Sequence, residues 1–162
     1  MATVRTVNDP DPVDVDRVAR LEALYRVEYA GMVRLAYTLV GNRAESEEIV
    51  QDSLLEVFRR WADVRQPGAY LRCVVVSRCR SALHRRRLIE SHPPAPPGLC
   101  AEASELWDVV AKLTEDQRIA VVLRYYGGYR AAEIAKIVDM PAATVRSHIR
   151  RGLATLKKEL EP

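Results

Sequence analysis

Read for the spacing of its apolar residues, the chain resolves into a succession of amphipathic helices. From about 15 to 40, Val18, Leu21, Leu24, Tyr25, Tyr29, Met32, Val33, Ala36 and Leu39 recur at steps of three and four, the period of one face of an α-helix. Gly31 interrupts the stripe and could bend or divide it, and Gly41 suits the position just past a helix end. Asn42 followed by Glu45 has capping-box spacing and opens a second helix, about 43 to 61, with Val50, Leu54, Val57, Phe58 and Trp61 as its buried stripe. Pro67 suits the first turn of a third helix, about 67 to 88, whose first half is apolar through Tyr70, Leu71, Val74, Val75 and Val76. Past residue 100, Leu106, Trp107, Val110 and Leu113 mark a further helix. Thr114 and Gln117 form a second capping box, before a buried helix through Ile119, Val121, Val122, Leu123, Tyr125 and Tyr126 that ends at Gly127-Gly128.

The last forty residues hold the most informative pattern. Ile134, Ile137 and Val138 stripe one short helix, and Val145, Ile149, Leu153, Leu156 and Leu160 stripe another. Asp139-Met140-Pro141 cannot continue a helix between them, because proline lacks the backbone donor and disfavours helical geometry at the residue before it. The second helix turns Arg146, Ser147, Arg150 and Arg151 outward. Two helices around a tight turn, the second basic on its outer face, form a helix-turn-helix. Such a unit lays its second helix in the DNA major groove, where arginine hydrogen-bonds guanine edges and phosphates. An ordinary helical hairpin with a solvated basic face is the plainer alternative.

Ser91 to Gly98 holds Pro93, Pro94, Pro96 and Pro97 and reads as an extended linker, at ~3.1 Å per residue. The predicted fold is therefore all-α, two small helical domains at 15–90 and 103–160 joined by a Pro-rich linker at 91–102, after a flexible lead-in. Each domain is small enough to be marginal by itself.

Charge changes the picture through its distribution. The net charge of +3 is too weak to argue for nucleic acid. Yet Glu45, Glu47, Glu48, Asp52 and Glu56 make the second helix acidic, and Arg78, Arg80, Arg85, Arg86 and Arg87 make the end of the third helix basic. Cations near a helix C-terminus favour its dipole, but five arginines in ten residues exceed that need and suggest a phosphate-binding track. The acidic face is either solvated or a docking surface for a basic partner. No stretch approaches the ~20 apolar residues that span a bilayer. Asp9, Asp11, Asp14 and Asp16 stand where a signal peptide needs a basic start, so a cytoplasmic protein without membrane insertion is expected. Cys73, Cys79 and Cys100 have no CxxC spacing, and Cys73 and Cys79 read as small helix residues rather than zinc ligands. No nucleophile–base pairing, metal-ligand spacing or Gly-rich phosphate loop is legible, so no enzyme activity, metal or cofactor is expected.

Taken together, these motifs resemble a small RNA polymerase sigma factor of the extracytoplasmic-function (group four) kind, of actinobacterial type. Tyr37-Thr-Leu-Val-Gly-Asn-Arg-Ala-Glu-Ser-Glu-Glu-Ile-Val-Gln-Asp52, then Trp61 and Ala69-Tyr-Leu-Arg72, are similar to region two of that family. Glu133-Ile-Ala135, Thr144-Val-Arg-Ser147 and Arg151-Gly-Leu-Ala154 are similar to region four. The resemblance implies docking on core RNA polymerase, on the clamp helices of its largest subunit, through Glu48, Gln51, Asp52 and Glu56, with the flap region as a further contact. It implies −10 promoter contacts through Arg72, Ser77, Arg78, Arg80, Arg85 and Arg86, with capture of an extruded base near Ser77. It implies −35 contacts through Thr144, Arg146, Ser147, Arg150 and Arg151. An anti-sigma factor is an expectation from the resemblance alone. Four departures stand out: Ser77 for a usual asparagine, Arg130 for a capping serine, Ala142-Ala143 for a pair ending in glycine, and His148 for a usual arginine.

A stand-alone helix-turn-helix regulator is the rival reading. It would bind duplex operator tightly without polymerase, whereas a sigma factor depends on polymerase because each module's DNA contact is small.

Overall fold

The first apolar stripe folds as one unbroken helix, α1 (Pro12–Val40), in a computed structural model that describes residues 12–89 and 107–160. The expected linker at 91–102, the lead-in before Pro12, and the stretch containing Leu106 and Cys100 lie outside the described residues. Gly31 does not divide α1, and a Cβ there would meet nothing within 4 Å. Gly41 stops the helix with φ +69°, a left-handed turn that glycine adopts without steric cost. α2 (Arg43–Arg59) then starts at Asn42, whose side chain accepts from the Glu45 amide at 3.0 Å. The Glu45 carboxylate does not complete the capping box but goes to Arg86 instead. α3 (Pro67–Ile89) closes a three-helix bundle around Tyr37, Leu39, Val40, Val50, Val57, Leu71 and Val75.

The first half of α1 departs from expectation. Val18 is 53% and Tyr25 45% exposed, although both lie on the predicted stripe. Helix rotation exposes them: at the same level Arg17 lies over the Phe58 ring of α2 and Leu21 and Leu24 pack on the core, while Val18 and Tyr25 each stand one position further round α1. Tyr25 and Tyr29 stack on each other there, ring centres 4.4 Å apart.

The second unit comprises a helical turn, α4 (107–110), α5 (Glu115–Tyr125), α6 (Ala131–Val138) and α7 (Ala142–Leu160). Leu123, Ile134, Val138 and Val145 are buried between its helices. Tyr125 and Tyr126, expected inside, are exposed because α5 ends there at the Gly127-Gly128 turn. Asp139, at φ 51°, takes the left-handed position that separates α6 from α7, and the Met140 amide donates back to the Ala135 carbonyl at 3.0 Å. On α7 the buried face runs through Gly152, not through Leu153, which is exposed. A Cβ on Gly152 would lie 2.7 Å from Cγ2 of Val121, so its absence lets α7 approach α5 and sets the helix's rotation.

The two units pack against each other. The Trp107 ring lies over Gly41, where a Cβ would come within 2.1 Å of it, and beside Tyr37, ring centres 6.1 Å apart. Arg118 stacks its guanidinium 4.7 Å above Trp107 and reaches the carbonyl of Leu39 in the last turn of α1 at 2.9 Å. That carbonyl has no partner within its own helix.

The cysteines on α3 differ in environment. Burial pushes the Cys79 thiol up to about 12, while Cys73 is exposed. Since the thiolate is the reactive form, alkylation at pH 8 of a Cys100→Ser chain is expected to label Cys73 in the folded protein and Cys79 only after denaturation. Mass spectrometry of the labelled peptides checks this, and native labelling of Cys79 would contradict its seat in the core.

Candidate nucleic-acid interface

Three surfaces carry the charged residues, and each is set by helix rotation. On α2, Ser46, Ile49, Val50, Ser53, Leu54 and Val57 face inward. That leaves Glu48, Gln51 and Asp52 exposed on the opposite face. Leu55 joins them, 50% exposed and seven residues from Glu48, a spacing that places the two on one side of a helix. An exposed leucine among carboxylates is a residue that sequence reasoning missed, although its step of three from Asp52 was legible. Glu56 differs from its neighbours. It accepts from the Tyr70 hydroxyl at 3.0 Å and from Arg78 at 3.0 Å. Burial would raise its pKa, but the Tyr70 hydroxyl and the Arg78 guanidinium outweigh this and hold the carboxyl below its ordinary value.

The arginines of α3 are largely engaged within the chain. Arg72 pairs with Glu28 at 3.1 Å, and the Tyr129 hydroxyl together with that carboxylate raises its pKa above the ordinary arginine value. Arg78 lies 3.6 Å from Asp52 and 3.0 Å from Glu56. Arg80 donates to the Val138 carbonyl of α6. Arg86 caps the C-terminus of α1 through the Val40 carbonyl at 2.7 Å and also meets Glu45. Arg85 and Ser77 are exposed. The structure thus groups the predicted α3 residues along one helix but leaves them with different freedom.

The helix-turn-helix presents its cations together. Arg146, Arg150 and Arg151 are exposed on α7, while Thr144 and Ser147 are half-buried. Arg146 and Arg150 line an open cleft of about 480 Å³ with Arg124 from α5 and Arg130 from the start of α6, over a floor that includes Ile149 and Leu153. Arg124 and Arg130 were not among the predicted site residues, because they lie 16 or more positions before Arg146 and only the packing of α5 and α6 on α7 brings them there. Arg130, in place of a capping serine, still starts α6: its amide donates to the Glu133 carboxylate at 2.7 Å, and its side chain faces the cleft. His148 faces elsewhere, into a small internal space with Arg80, Asp116, Ile134 and Met140.

Comparison with known proteins gives this arrangement a family. Residues 24–89 match the family model described as Sigma-70 region 2, and residues 103–156 match Sigma-70, region 4. The RNA polymerase sigma-E factor of Streptomyces avermitilis is 31% identical over 89% of this chain and 87% of its own length. The ECF RNA polymerase sigma factor SigL of Mycobacterium tuberculosis is 26% identical over 88% and 90%. Among solved structures, the sigma factor RpoE of Bartonella quintana, crystallised with the anti-sigma factor NepR, shares the fold at a TM-score of 0.63. It is 20% identical, over 93% of this chain and 98% of that one.

Proposed function

The chain belongs to the sigma-70 family of RNA polymerase sigma factors, of the extracytoplasmic-function kind, and we propose that its three charged surfaces divide the work of promoter-specific initiation. The outer face of α2, with Glu48, Gln51, Asp52 and Leu55, docks on the clamp helices of core polymerase. Carboxylates steer the encounter, and the leucine supplies apolar area at the centre of the contact. The face of α3 with Arg72, Ser77, Arg78, Arg80 and Arg85 takes the separated strand of the −10 element, where unstacking one base nucleates melting. Arg86 borders that face while pinning α1 to α2.

The −35 element is assigned to α7 on one observation, the four-arginine cleft. Arg146 and Arg150, on the outward face, read base edges. Arg124, Arg130 and Arg151 meet phosphates to either side, and Thr144 and Ser147 add hydroxyl donors. Base contacts specify and phosphate contacts position, so the two groups respond differently to mutation. Arg146→Ala or Arg150→Ala is expected to cost ~1–3 kcal/mol at particular −35 positions. Arg130→Ala is expected to weaken all sequences alike and to lower the salt slope by about one. Transcription from a pool of randomised promoters by core polymerase and each variant separates these outcomes, and uniform loss in all three would make the cleft a phosphate grip only.

A region 2 match and a region 4 match in one chain favour the sigma role over the stand-alone regulator. An anti-sigma factor is proposed as a further partner on family grounds. No described helix is long and apolar enough to cross a membrane, and the proposed site of action is the cytoplasm, where core polymerase is found.

A further inference from the structure

Two exposed faces of this chain complement each other in charge, apolar content and spacing. The outer face of α2 runs through Glu48, Gln51, Asp52 and Leu55. On α7, Arg146, Ile149, Arg150 and Leu153 run along the open cleft of about 480 Å³ that Arg124 and Arg130 complete. Among the described residues none of these four arginines is in an ion pair. Asp52 has only the 3.6 Å pair with Arg78, and Glu48 has none.

The spacing of the two faces is the same. Counted from Glu48 and from Arg146, the other members stand three, four and seven residues on. An amphipathic helix seats in a groove through anchors at those intervals, and each face is ~10 Å long at ~1.5 Å per residue. Laid side by side in the same direction, the helices bring Glu48 to Arg146, Asp52 to Arg150 and Leu55 to Leu153. The match ends one turn later, where Arg59 meets Lys157 as a like pair. Within one chain both faces are exposed, so neither covers the other.

We propose that α2 of one copy seats along α7 of a second copy, so that the free chain self-associates through its own acidic and basic faces. A second copy is the occupant that the charges favour. At a net charge of +3 two copies repel each other little, and every copy supplies both halves of the contact. Two copies can therefore exchange them reciprocally and close a pair about a two-fold axis. Contacts that bury less than ~1,200 Å² are transient, and one helix along another is of that class, so the pair forms at high chain concentration and parts readily. Under the reading given above, the covered surfaces are those that meet core polymerase and the −35 element, which makes the pair a reserve form. The contact itself rests only on the charges, the leucines and their spacing.

Sedimentation velocity of the full-length chain, without DNA or polymerase, tests this. At about 0.05 M salt, wild type is expected to move from monomer to dimer as its concentration rises. At about 0.5 M salt, where screening acts within roughly 4 Å, the association is expected to weaken about tenfold. Arg146→Glu with Arg150→Glu, and separately Glu48→Arg with Asp52→Arg, set like charges against each other, and each variant is expected to stay monomeric. Mixed in equal amounts, the two restore one native contact, the intact α2 of the first on the intact α7 of the second, and a mixed dimer is expected. Circular dichroism checks that each variant is folded. A wild type that stays monomeric up to about 200 µM overturns the proposal even if a variant fails to fold, since weaker association has no bearing on a free chain. So does association that survives either reversal, and so do folded variants that remain apart when mixed. The promoter reading fails separately, if Arg146→Ala and Arg150→Ala leave transcription from every promoter of the pool unchanged.

Discussion

The double reversal Glu48→Arg with Asp52→Arg is expected to abolish binding to core polymerase while the helical content stays as it is. Both side chains are exposed on the outer face of α2 and neither contributes to the core that holds the helix; the pair that Asp52 makes with Arg78, at 3.6 Å and more than a third exposed on both sides, adds little to the fold. Opposing a basic partner with two cations replaces attraction by repulsion, and like charges across an interface cost several kcal/mol. The loss should exceed about a hundredfold, equivalent to ~3 kcal/mol. Glu56 is the wrong residue for this test, although it is acidic and on the same helix. It holds the Tyr70 hydroxyl and Arg78, and Arg60 lies 2.7 Å from the same hydroxyl. A cation at 56 would face Arg60 and Arg78 and would disturb the junction of α2 with α3. Pull-down of core polymerase, with circular dichroism as the fold control, decides the matter. Retained binding by the folded double variant would remove α2 from the docking surface.

Arg118→Ala is expected to destabilise the chain strongly. The side chain is 8% exposed and donates to four backbone carbonyls: Val110 at 3.1 Å, Leu39 at 2.9 Å, Ala111 at 3.3 Å and Leu113 at 3.2 Å. Burial pulls its pKa below the usual arginine value, with Glu115 opposing that shift and Arg86 adding to it. Guanidinium stays charged in proteins, and the carbonyls replace its water. Removing it leaves several acceptors unsatisfied, at ~1–3 kcal/mol for each one left buried. Some will find water in the space vacated, so a net loss of about 3 kcal/mol is expected. At ~2–4 °C per kcal/mol for chains of this size, the melting midpoint should fall by roughly 10 °C. Arg118→Lys should recover only part of this, because an ammonium cannot reproduce the planar fork that spans both units. A midpoint unchanged by Arg118→Ala would mean that the four bonds are marginal, and with them the fastening of the second unit to α1.

Much of this was legible along the chain because it is local. Gly41 past α1, Asn42 before α2, Pro67 at the start of α3 and Pro141 before α7 act through their own backbone geometry, which a neighbouring residue or two determines. The period-of-3.6 stripes fixed most of the buried faces for the same reason. Where a stripe failed, the cause was distant: Leu153 is exposed because Gly152 admits Val121, and Val18 and Tyr25 are exposed because α1 turns Arg17 toward Phe58 of α2 and Leu21 and Leu24 toward the core instead.

What the sequence determined by itself, then, is the order and limits of the helices, the family to which the two sets of motifs belong, and which residues are charged. What only the tertiary structure decided is which of those charges are available. Arg80 and the carbonyl it meets are 58 residues apart, and Arg86 and its carbonyl 46. Arg124 and Arg130 reach the cleft of Arg146 and Arg150 only through the packing of three helices. A helix's periodicity says which way a side chain points, but an arginine is free or engaged according to the acceptor that packing places opposite it, and that acceptor has no signature in the arginine's own neighbourhood.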